Sequence, residues 1–232
     1  MMKFYGIQKV SLVDYDTEIS TTLFAKGCNL RCPFCHNYEL VLYGKSEDGA
    51  IDEAYIKDFL SSHKDKISAV CISGGEPTLD PLLKETIKEI KAMGYKVKLD
   101  TNGFMPDVLI DLIEENLIDY VAVDIKNSME CYASTAGLDY VDLSKINRTV
   151  TYLKNHNFPY EFRTTLIEEF HTEESIESMG KWLEGARIIF LQHFEMSDNV
   201  PNKTLHAVPT KNALAFRRIL EKYINKVELR GF

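Results

Sequence analysis

One loop carries most of the chemical information in this chain, and it reads Gly27-Cys28-Asn29-Leu30-Arg31-Cys32-Pro33-Phe34-Cys35-His36-Asn37. It holds three of the chain's five cysteines, at C-x3-C-x2-C spacing. Three thiolates in so short a loop can each bind one iron of a [4Fe-4S] cluster, whose usual complement is four cysteines. The fourth iron is then open to a small molecule that offers amine and carboxylate groups.

A zinc ion is the alternative occupant of this loop. Because Cys35 is followed by His36, three cysteines and one histidine could form a structural zinc site. Structural zinc loops usually pair cysteines as C-x2-C, with a second pair of Cys or His further along the chain. Here the first gap is three residues and no second cluster follows. The spacing favours iron and sulfur, and leaves zinc and free thiols as alternatives.

The same loop resembles the signature of the radical S-adenosylmethionine (SAM) superfamily, C-x3-C-x-aromatic-C, with Phe34 in the aromatic position. The longer run over residues 27–37 is similar to the activating enzymes of glycyl radical enzymes. The resemblance implies a [4Fe-4S] cluster bound by the three cysteines and SAM bound beside it. The residues of the loop that it implies in these roles are Cys28, Cys32 and Cys35 for the cluster and Phe34, His36 and Asn37 for SAM.

Composition places the chain among ordinary globular proteins. Its 232 residues suit one α/β domain or two small ones, and we expect a single domain over residues 1–232. The hydrophobic fraction of 45% is ordinary for a protein with a sizeable core. The net charge of −8 argues against nucleic acid as a partner. No basic N-terminal region precedes an apolar run, and no stretch approaches about 18 apolar residues, so we expect neither secretion nor membrane insertion. The odd cysteine count favours a reducing cytoplasm.

Hydrophobic periodicity predicts an α/β fold, because six strand–helix units follow one another along the chain. A complete eight-unit barrel needs roughly 250 residues, so six units favour an incomplete barrel over an open doubly wound sheet. The resemblance likewise implies a partial (β/α)6 TIM-like barrel of the radical SAM type. Strands are predicted at 19–25, 67–73, 95–99, 119–125, 160–166 and 187–194, with a short last one at 226–229. Helices are predicted at 52–63, 80–93, 106–116, 143–155, 172–183 and 209–223.

Candidate ligand groups lie where the predicted strands end, at the edge of the sheet on which such folds place their sites. Gly74-Gly75-Glu76-Pro77 ends the second strand, and by itself it is typical of a tight turn. Glycines at a strand end also allow a ligand to approach the backbone. The resemblance implies that this motif contacts the amino group of SAM.

Charged residues end the next strands. An Asp after a strand often caps a helix, and an Arg within a strand often pairs with a structural acid. The resemblance instead implies SAM contacts and a monovalent cation near the SAM carboxylate, with no catalytic side chain beyond the cluster and SAM. The residues concerned are Asp100, Asn102, Asp124, Ile125, Lys126 and Arg163.

The remaining histidines and cysteines are interpreted as structural. His193 ends the sixth predicted strand and departs from the family pattern, so we expect a structural role for it. Cys71 and Cys131 lie far from the loop in sequence, and each is expected to be a small buried hydrophobe. The others, expected at the surface, are His63, His156, His171 and His206.

The resemblance also implies a reaction and its partners. The reduced cluster would cleave SAM to methionine and a 5′-deoxyadenosyl radical, which removes a hydrogen atom from a backbone glycine of a large enzyme. An electron donor such as flavodoxin or ferredoxin would supply the electron. Residues 6–14 and 228–231 resemble the activating proteins of anaerobic ribonucleoside-triphosphate reductase, although the Pro-Gly usual after Asp14 is absent. The alternatives are activation of pyruvate formate-lyase or another glycyl radical enzyme, a small-molecule reaction such as deazapurine synthesis, and a zinc-binding interaction module.

Overall fold

The protein, described by a computed structural model over residues 1–41 and 49–232, alternates strands and helices. The strands are β1 (Phe4–Ser11), β2 (Ser20–Ala25), β3 (Ala69–Gly74), β4 (Lys96–Thr101), β5 (Tyr120–Asp124), β6 (Tyr160–Leu166), β7 (Ile189–His193) and β8 (Val227–Arg230). The helices are α1 (Tyr38–Val41), α2 (Glu53–His63), α3 (Leu83–Ala92), α4 (Pro106–Glu114), α5 (Tyr132–Thr135), α6 (Leu143–Asn155), α7 (Glu173–Trp182) and α8 (Thr210–Leu220), with a 3-10 turn at Pro77–Leu79.

The strands form an eight-stranded sheet in which they follow one another in chain order. A doubly wound sheet reverses its strand order at a switch point, so that alternative is wrong. Parallel pairing joins β2 to β3, β3 to β4, β6 to β7 and β7 to β8. The predicted α/β class is therefore confirmed, and the boundaries of the predicted strands differ from the observed ones by a few residues.

Strand β1 was absent from the sequence interpretation, which placed the first strand at residues 19–25. It runs antiparallel to β2 from Phe4 opposite Ala25 to Ser11 opposite Ser20, with irregular register between Phe4 and Gly6 and between Gln8 and Ser11. Three of its residues, Gln8, Lys9 and Val10, are exposed to solvent, so β1 lacks the buried apolar run by which the other strands are recognised.

The chain divides into two compact units. Unit 1 comprises Met1–Asn29, Glu39–Thr101 and Met105–Val121. Its helix α2 begins after Asp52, whose carboxylate accepts a hydrogen bond from the amide of Ala54. Its helix α3 places Leu83, Ile87 and Ile90 in the core, in agreement with the predicted spacing.

Unit 2 comprises Leu30–Tyr38, Asn102–Phe104 and Ala122–Phe232. Helix α6 begins after Asp142, which caps it through the amide of Ser144. Helix α7 begins after Thr172, and the residue that closes the capping box with it is Ser175. Across the described ranges, none of the helices combines the length and the apolar content of a membrane span.

Candidate functional site

In unit 1, the double glycine at the end of β3 packs directly against the residues that precede Cys28. The amide of Gly75 donates to the carbonyl of Ala25 at 2.9 Å, and the amide of Glu76 donates to the carbonyl of Gly27 at 2.7 Å. A β-carbon on Gly74 would lie 2.4 Å from the Ala25 oxygen, and one on Gly75 would lie 2.1 Å from the Gly27 oxygen. Both glycines are therefore required for the backbone to come this close to the start of the cysteine loop.

Glu76 is almost fully buried, with 1% of its surface exposed. Its Oε1 accepts hydrogen bonds from the amide of Thr78 at 3.1 Å, from the hydroxyl of Thr78, and from the hydroxyl of Thr101 at 2.7 Å. A carboxylate that accepts several hydrogen bonds can be buried without a large penalty. Glu76 thus joins the end of β3 to the end of β4, beside the two glycines.

Asp100 and Lys98 form the charged part of β4. Asp100 accepts a hydrogen bond from the hydroxyl of Ser73 at 3.1 Å, and its other oxygen lies 3.7 Å from Nζ of Lys98. Lys98 is 2% exposed and also donates to the carbonyl of Asp14. Lys98 therefore connects the carboxylate of Asp100 to the backbone at Asp14.

In unit 2, the second half of the cysteine loop is a tight turn. The amide of Cys35 donates to the carbonyl of Cys32 at 3.1 Å, and the carbonyl of Pro33 accepts from the amide of Asn202 at 3.1 Å. Burial raises the pKa of the Cys35 thiol, while the nearby Lys126 ammonium counteracts part of that rise. Since metal ligation requires the thiolate, Lys126 is positioned to favour the ligating form.

The residues that follow α5 contact the same loop at Arg31. The amide of Arg31 donates to the carbonyl of Ala136 at 2.9 Å. Gly137 has a φ of +71°, and a β-carbon there would lie 2.0 Å from the Arg31 carbonyl oxygen. This close contact therefore requires a glycine at position 137, which was not among the predicted site residues.

Aromatic contacts fix the residues around Cys35. The ring of Phe34 is 5% exposed and lies 6.2 Å from the ring of Phe170. The ring of His36 lies 5.6 Å from that of Phe194, and burial lowers the pKa of His36. Asn37 is half-buried at the end of the loop.

A cluster of charges lies at the end of β5 and within β6. Nε of Arg163 lies 2.9 Å from one oxygen of Asp124, and Nζ of Lys126 lies 3.3 Å from the other. Burial would raise the pKa of Asp124, but Arg163 and Lys126 outweigh it and hold that pKa below its usual value. Burial opposes the charge of Lys126, yet the neighbouring Asp124 carboxylate raises the pKa of Lys126 above its ordinary range.

Arg163 thus pairs with an acidic residue, as expected if its role is structural. A second acidic residue also lies near it. Glu161, which is 1% exposed, lies 4.0 Å from Arg163 and 3.7 Å from Arg230. The guanidinium of Arg230 lies 3.9 Å from the ring centre of Phe190. The alternation of Glu161 and Arg163 in β6 is the sequence signal that both face the same side of the strand.

Ile125 contributes through its backbone, and Asn102 contributes through its side chain. Ile125 is fully buried; its amide donates to the carbonyl of Arg163 at 2.8 Å, and its carbonyl accepts from the hydroxyl of Thr164 at 2.9 Å. Asn102 is 5% exposed, and its side-chain oxygen accepts from the amide of Phe104 at 3.1 Å, which shapes the turn after β4.

Two expectations about the remaining residues were wrong. His171 is not at the surface: it is 3% exposed, because it is bonded to the main chain of the loop after β6 and to Lys126. Cys131 is half-buried rather than buried, because it lies at the beginning of the short helix α5, whereas Cys71 in β3 is fully buried as expected. The ring of His193 lies 4.9 Å from that of Phe232.

The donor set fits an iron–sulfur cluster. None of the three loop cysteines is part of a disulfide. Within the described ranges, no three Cys, His, Asp or Glu side chains gather closely enough to hold a single metal ion. The fit to a cluster rests on ligand chemistry, because thiolates are the usual protein ligands of a cluster, with one for each iron.

Comparisons with known proteins agree with this chemistry. A model of the radical SAM superfamily matches residues 22–183. A protein of Methanocaldococcus jannaschii named "Putative glycyl-radical enzyme activating enzyme" is 34% identical over 235 residues, which cover 97% of this chain and 94% of that protein. The pyruvate formate-lyase-activating enzyme of Clostridium pasteurianum is 29% identical over 130 residues, or 55% of this chain and 53% of that enzyme.

A solved structure confirms the fold. The crystal structure of a domain of pyruvate-formate lyase-activating enzyme from Bacteroides vulgatus is 20% identical, with a TM-score of 0.57. The match covers 71% of this chain and 99% of that domain. The predicted α/β fold, a partial TIM-like barrel, is therefore confirmed.

Proposed function

Because the chain belongs to the radical SAM superfamily and, within it, to the glycyl-radical enzyme activating enzymes, we propose that it generates a glycyl radical on anaerobic ribonucleoside-triphosphate reductase. It is an enzyme whose cofactors are a [4Fe-4S] cluster and SAM. The observation that carries the proposal is the cysteine loop, with a strand-end double glycine packed against its first residues. This family membership sets aside the zinc-binding interaction module.

We assign Cys28, Cys32 and Cys35 to the cluster. When bound, the cluster and SAM together supply the one-electron chemistry that cleaves SAM and removes a hydrogen atom. The chain's own task is to hold and orient these groups. We propose that the backbone of this strand end contacts the amino group of SAM, because Gly74 and Gly75 lack the side chains that would keep it away from the start of the cysteine loop.

The charged groups of unit 2 would orient the carboxylate of SAM. Three cations and two carboxylates lie in one connected group, so it carries an excess of positive charge. An anionic ligand is favoured there. The members of this charged group are Asp124, Glu161, Lys126, Arg163 and Arg230. Both oxygens of Asp124 already face cations, which disfavours a monovalent cation on that carboxylate. The remaining SAM contacts that we propose are Phe34, His36, Asn37, Glu76, Asp100, Asn102 and Ile125.

The choice of partner rests on the resemblance of residues 6–14 and 228–231 to activating proteins of the anaerobic reductase. Pyruvate formate-lyase is the alternative partner, and the Clostridium relative supports it. The chemistry is the same for both. We also propose a flavodoxin or ferredoxin as the electron donor and the cytoplasm as the location, because free thiols require a reducing environment.

Anaerobic reconstitution tests the reaction. The expected result is a brown protein that contains iron and inorganic sulfide and that, once reduced, converts SAM to methionine and 5′-deoxyadenosine. A protein that binds zinc and no sulfide would contradict the proposal.

Mixing experiments test the partner. The reduced enzyme and SAM are incubated separately with the anaerobic reductase and with pyruvate formate-lyase, and the glycyl radical is measured by electron paramagnetic resonance. A signal with the reductase alone supports the proposal. A signal with the lyase alone assigns the enzyme to that partner, and SAM cleavage without a signal on either favours a small-molecule substrate.

A further inference from the structure

The loop after β6 is held by one buried histidine. Nε2 of His171 lies 3.0 Å from the carbonyl oxygen of Lys126, and Nδ1 lies 3.0 Å from the amide nitrogen of Ile167. Because a carbonyl only accepts, Nε2 carries the proton. Nδ1 of the neutral ring then accepts from the Ile167 amide. Nδ1 also lies 3.1 Å from the carbonyl oxygen of Ile167, and that oxygen accepts a hydrogen bond from the amide of His171.

A second buried side chain holds the same loop. Asn127, which is fully buried, donates from its Nδ2 to the carbonyl of Phe170 at 2.7 Å and to the hydroxyl of Thr135 at 3.0 Å. The loop after β6 is therefore bonded to two consecutive residues that follow β5, Lys126 through its carbonyl and Asn127 through its side chain.

The hydrogen bonds between the loop after β6 and the residues after β5 connect two parts of the proposed site. Phe170 packs on Phe34, which lies between two of the proposed cluster ligands in the sequence. Lys126 carries the ammonium that faces Asp124. A shift of the loop after β6 would therefore move both the ring against the cysteine loop and the backbone of Lys126.

We propose that His171 is a positioning residue. It holds the backbone of Lys126 and the ring of Phe170 in the positions that SAM binding requires. The proposal rests on the proposed function above. The ring nitrogens of His171 meet main-chain groups of Lys126 and Ile167, so the histidine acts on the site through Lys126 and Phe170. At metal sites, replacing a residue that orients the ligands typically costs roughly 10- to 100-fold in affinity, and we expect an effect of this order on SAM binding.

Two conservative variants separate the contacts of His171. His171→Gln places an amide N–H where Nε2 lies and can still donate to Lys126, whereas the shorter side chain of His171→Asn reaches the Ile167 side only. His156→Asn is the matched control, because His156 is exposed and its Nδ1 meets the carbonyl of Tyr152 within its own helix turn.

The first measurement is equilibrium dialysis of labelled SAM against the reconstituted, unreduced enzyme, so that no cleavage occurs. The dissociation constant is expected to rise roughly 10-fold or more in His171→Asn, and to stay close to that of the unaltered protein in His171→Gln and His156→Asn. Equal affinity in all four proteins would overturn the proposal, even if His171→Asn melts at a lower temperature.

The second measurement does not depend on SAM. Amide hydrogen exchange, followed by mass spectrometry, should accelerate in peptides covering 126–128 and 167–171 of His171→Asn and remain slow in His171→Gln. Unchanged exchange would show that His171 does not hold this loop. If the unaltered protein fails to bind SAM, the proposed function is wrong, while the exchange result still tests the linkage itself.

Discussion

Gly137 approaches Arg31 so closely that a β-carbon on the glycine would lie 2.0 Å from the arginine carbonyl oxygen. The contact holds the cysteine loop against the end of α5, together with the hydrogen bond from Arg31 to Ala136. The geometry of the proposed ligand loop in unit 2 therefore depends on a residue far from it in sequence.

Gly137→Ala should displace this loop. We expect a loss of about 2–5 kcal/mol in the free energy of unfolding, because the variant adds a steric clash to an unfavourable positive φ. Gly185→Ala is the control, since Gly185 has a φ of +83° and no heavy atom near its β-carbon position; it should lose about 1 kcal/mol. Urea unfolding measures both values, and equal losses would contradict the steric explanation.

Cys32→Ala should abolish the cluster. Removing one of three thiolates leaves an iron without a protein ligand, so iron, sulfide and SAM cleavage should all fall close to zero. Cys71→Ala and Cys131→Ala should retain all three, because these cysteines are assigned no ligand role. Iron and sulfide analysis after reconstitution provides the measurement. A cluster that survives in Cys32→Ala would refute the assignment.

Glu76→Gln should loosen the junction between β3 and β4. The neutral amide replaces charge-assisted hydrogen bonds to Thr78 and Thr101 with weaker ones, at an expected cost of about 1–2 kcal/mol. The exposed Glu85, which pairs with Lys88 on the surface of α3, serves as control, and Glu85→Gln should change stability by less than about 0.5 kcal/mol. Chemical denaturation of the two variants, side by side, gives the comparison.

His171 should make the protein sensitive to mild acid. Burial lowers the pKa of His171, whereas the unfolded chain titrates near pH 6.5. The unfolded state therefore binds the proton first, and stability falls as the pH drops below about 6.5 until the folded-state pKa is reached. The expected slope, relative to His171→Gln, is up to about 1.4 kcal/mol per pH unit.

The measurement for His171 is urea unfolding at several pH values between 5 and 8. The difference between the two proteins removes acid effects that they share. A difference that stays constant across this range would show that His171 does not titrate as its burial requires.

Much of the candidate site could be predicted from the sequence, because each of its motifs is short and local. The cysteine loop, the double glycine and the charged strand ends each occupy a few adjacent residues. The periodicity of the main strands was visible for the same reason, since buried parallel strands are nearly continuous apolar runs. The assignment of individual residues to the cluster and to SAM stays a prediction, as does the single domain over residues 1–232.

Other features could not be read from the sequence because they depend on contacts between distant segments. Gly137 was one glycine among 12, and only its approach to Arg31 gives it a role. His171 lies beside exposed acidic residues, which made a surface position reasonable, yet its ring faces the interior. Strand β1 was overlooked because Gln8, Lys9 and Val10 are exposed and break the apolar pattern.

That same strand has a consequence for solubility. Strand β1 is an edge strand of the sheet. A regular edge strand has unpaired backbone groups with which a strand of another chain can pair. Two breaks in register and an exposed lysine interrupt β1 instead, and both are devices by which natural sheets resist growth into fibrils. We therefore expect this edge of the sheet to resist the addition of another chain.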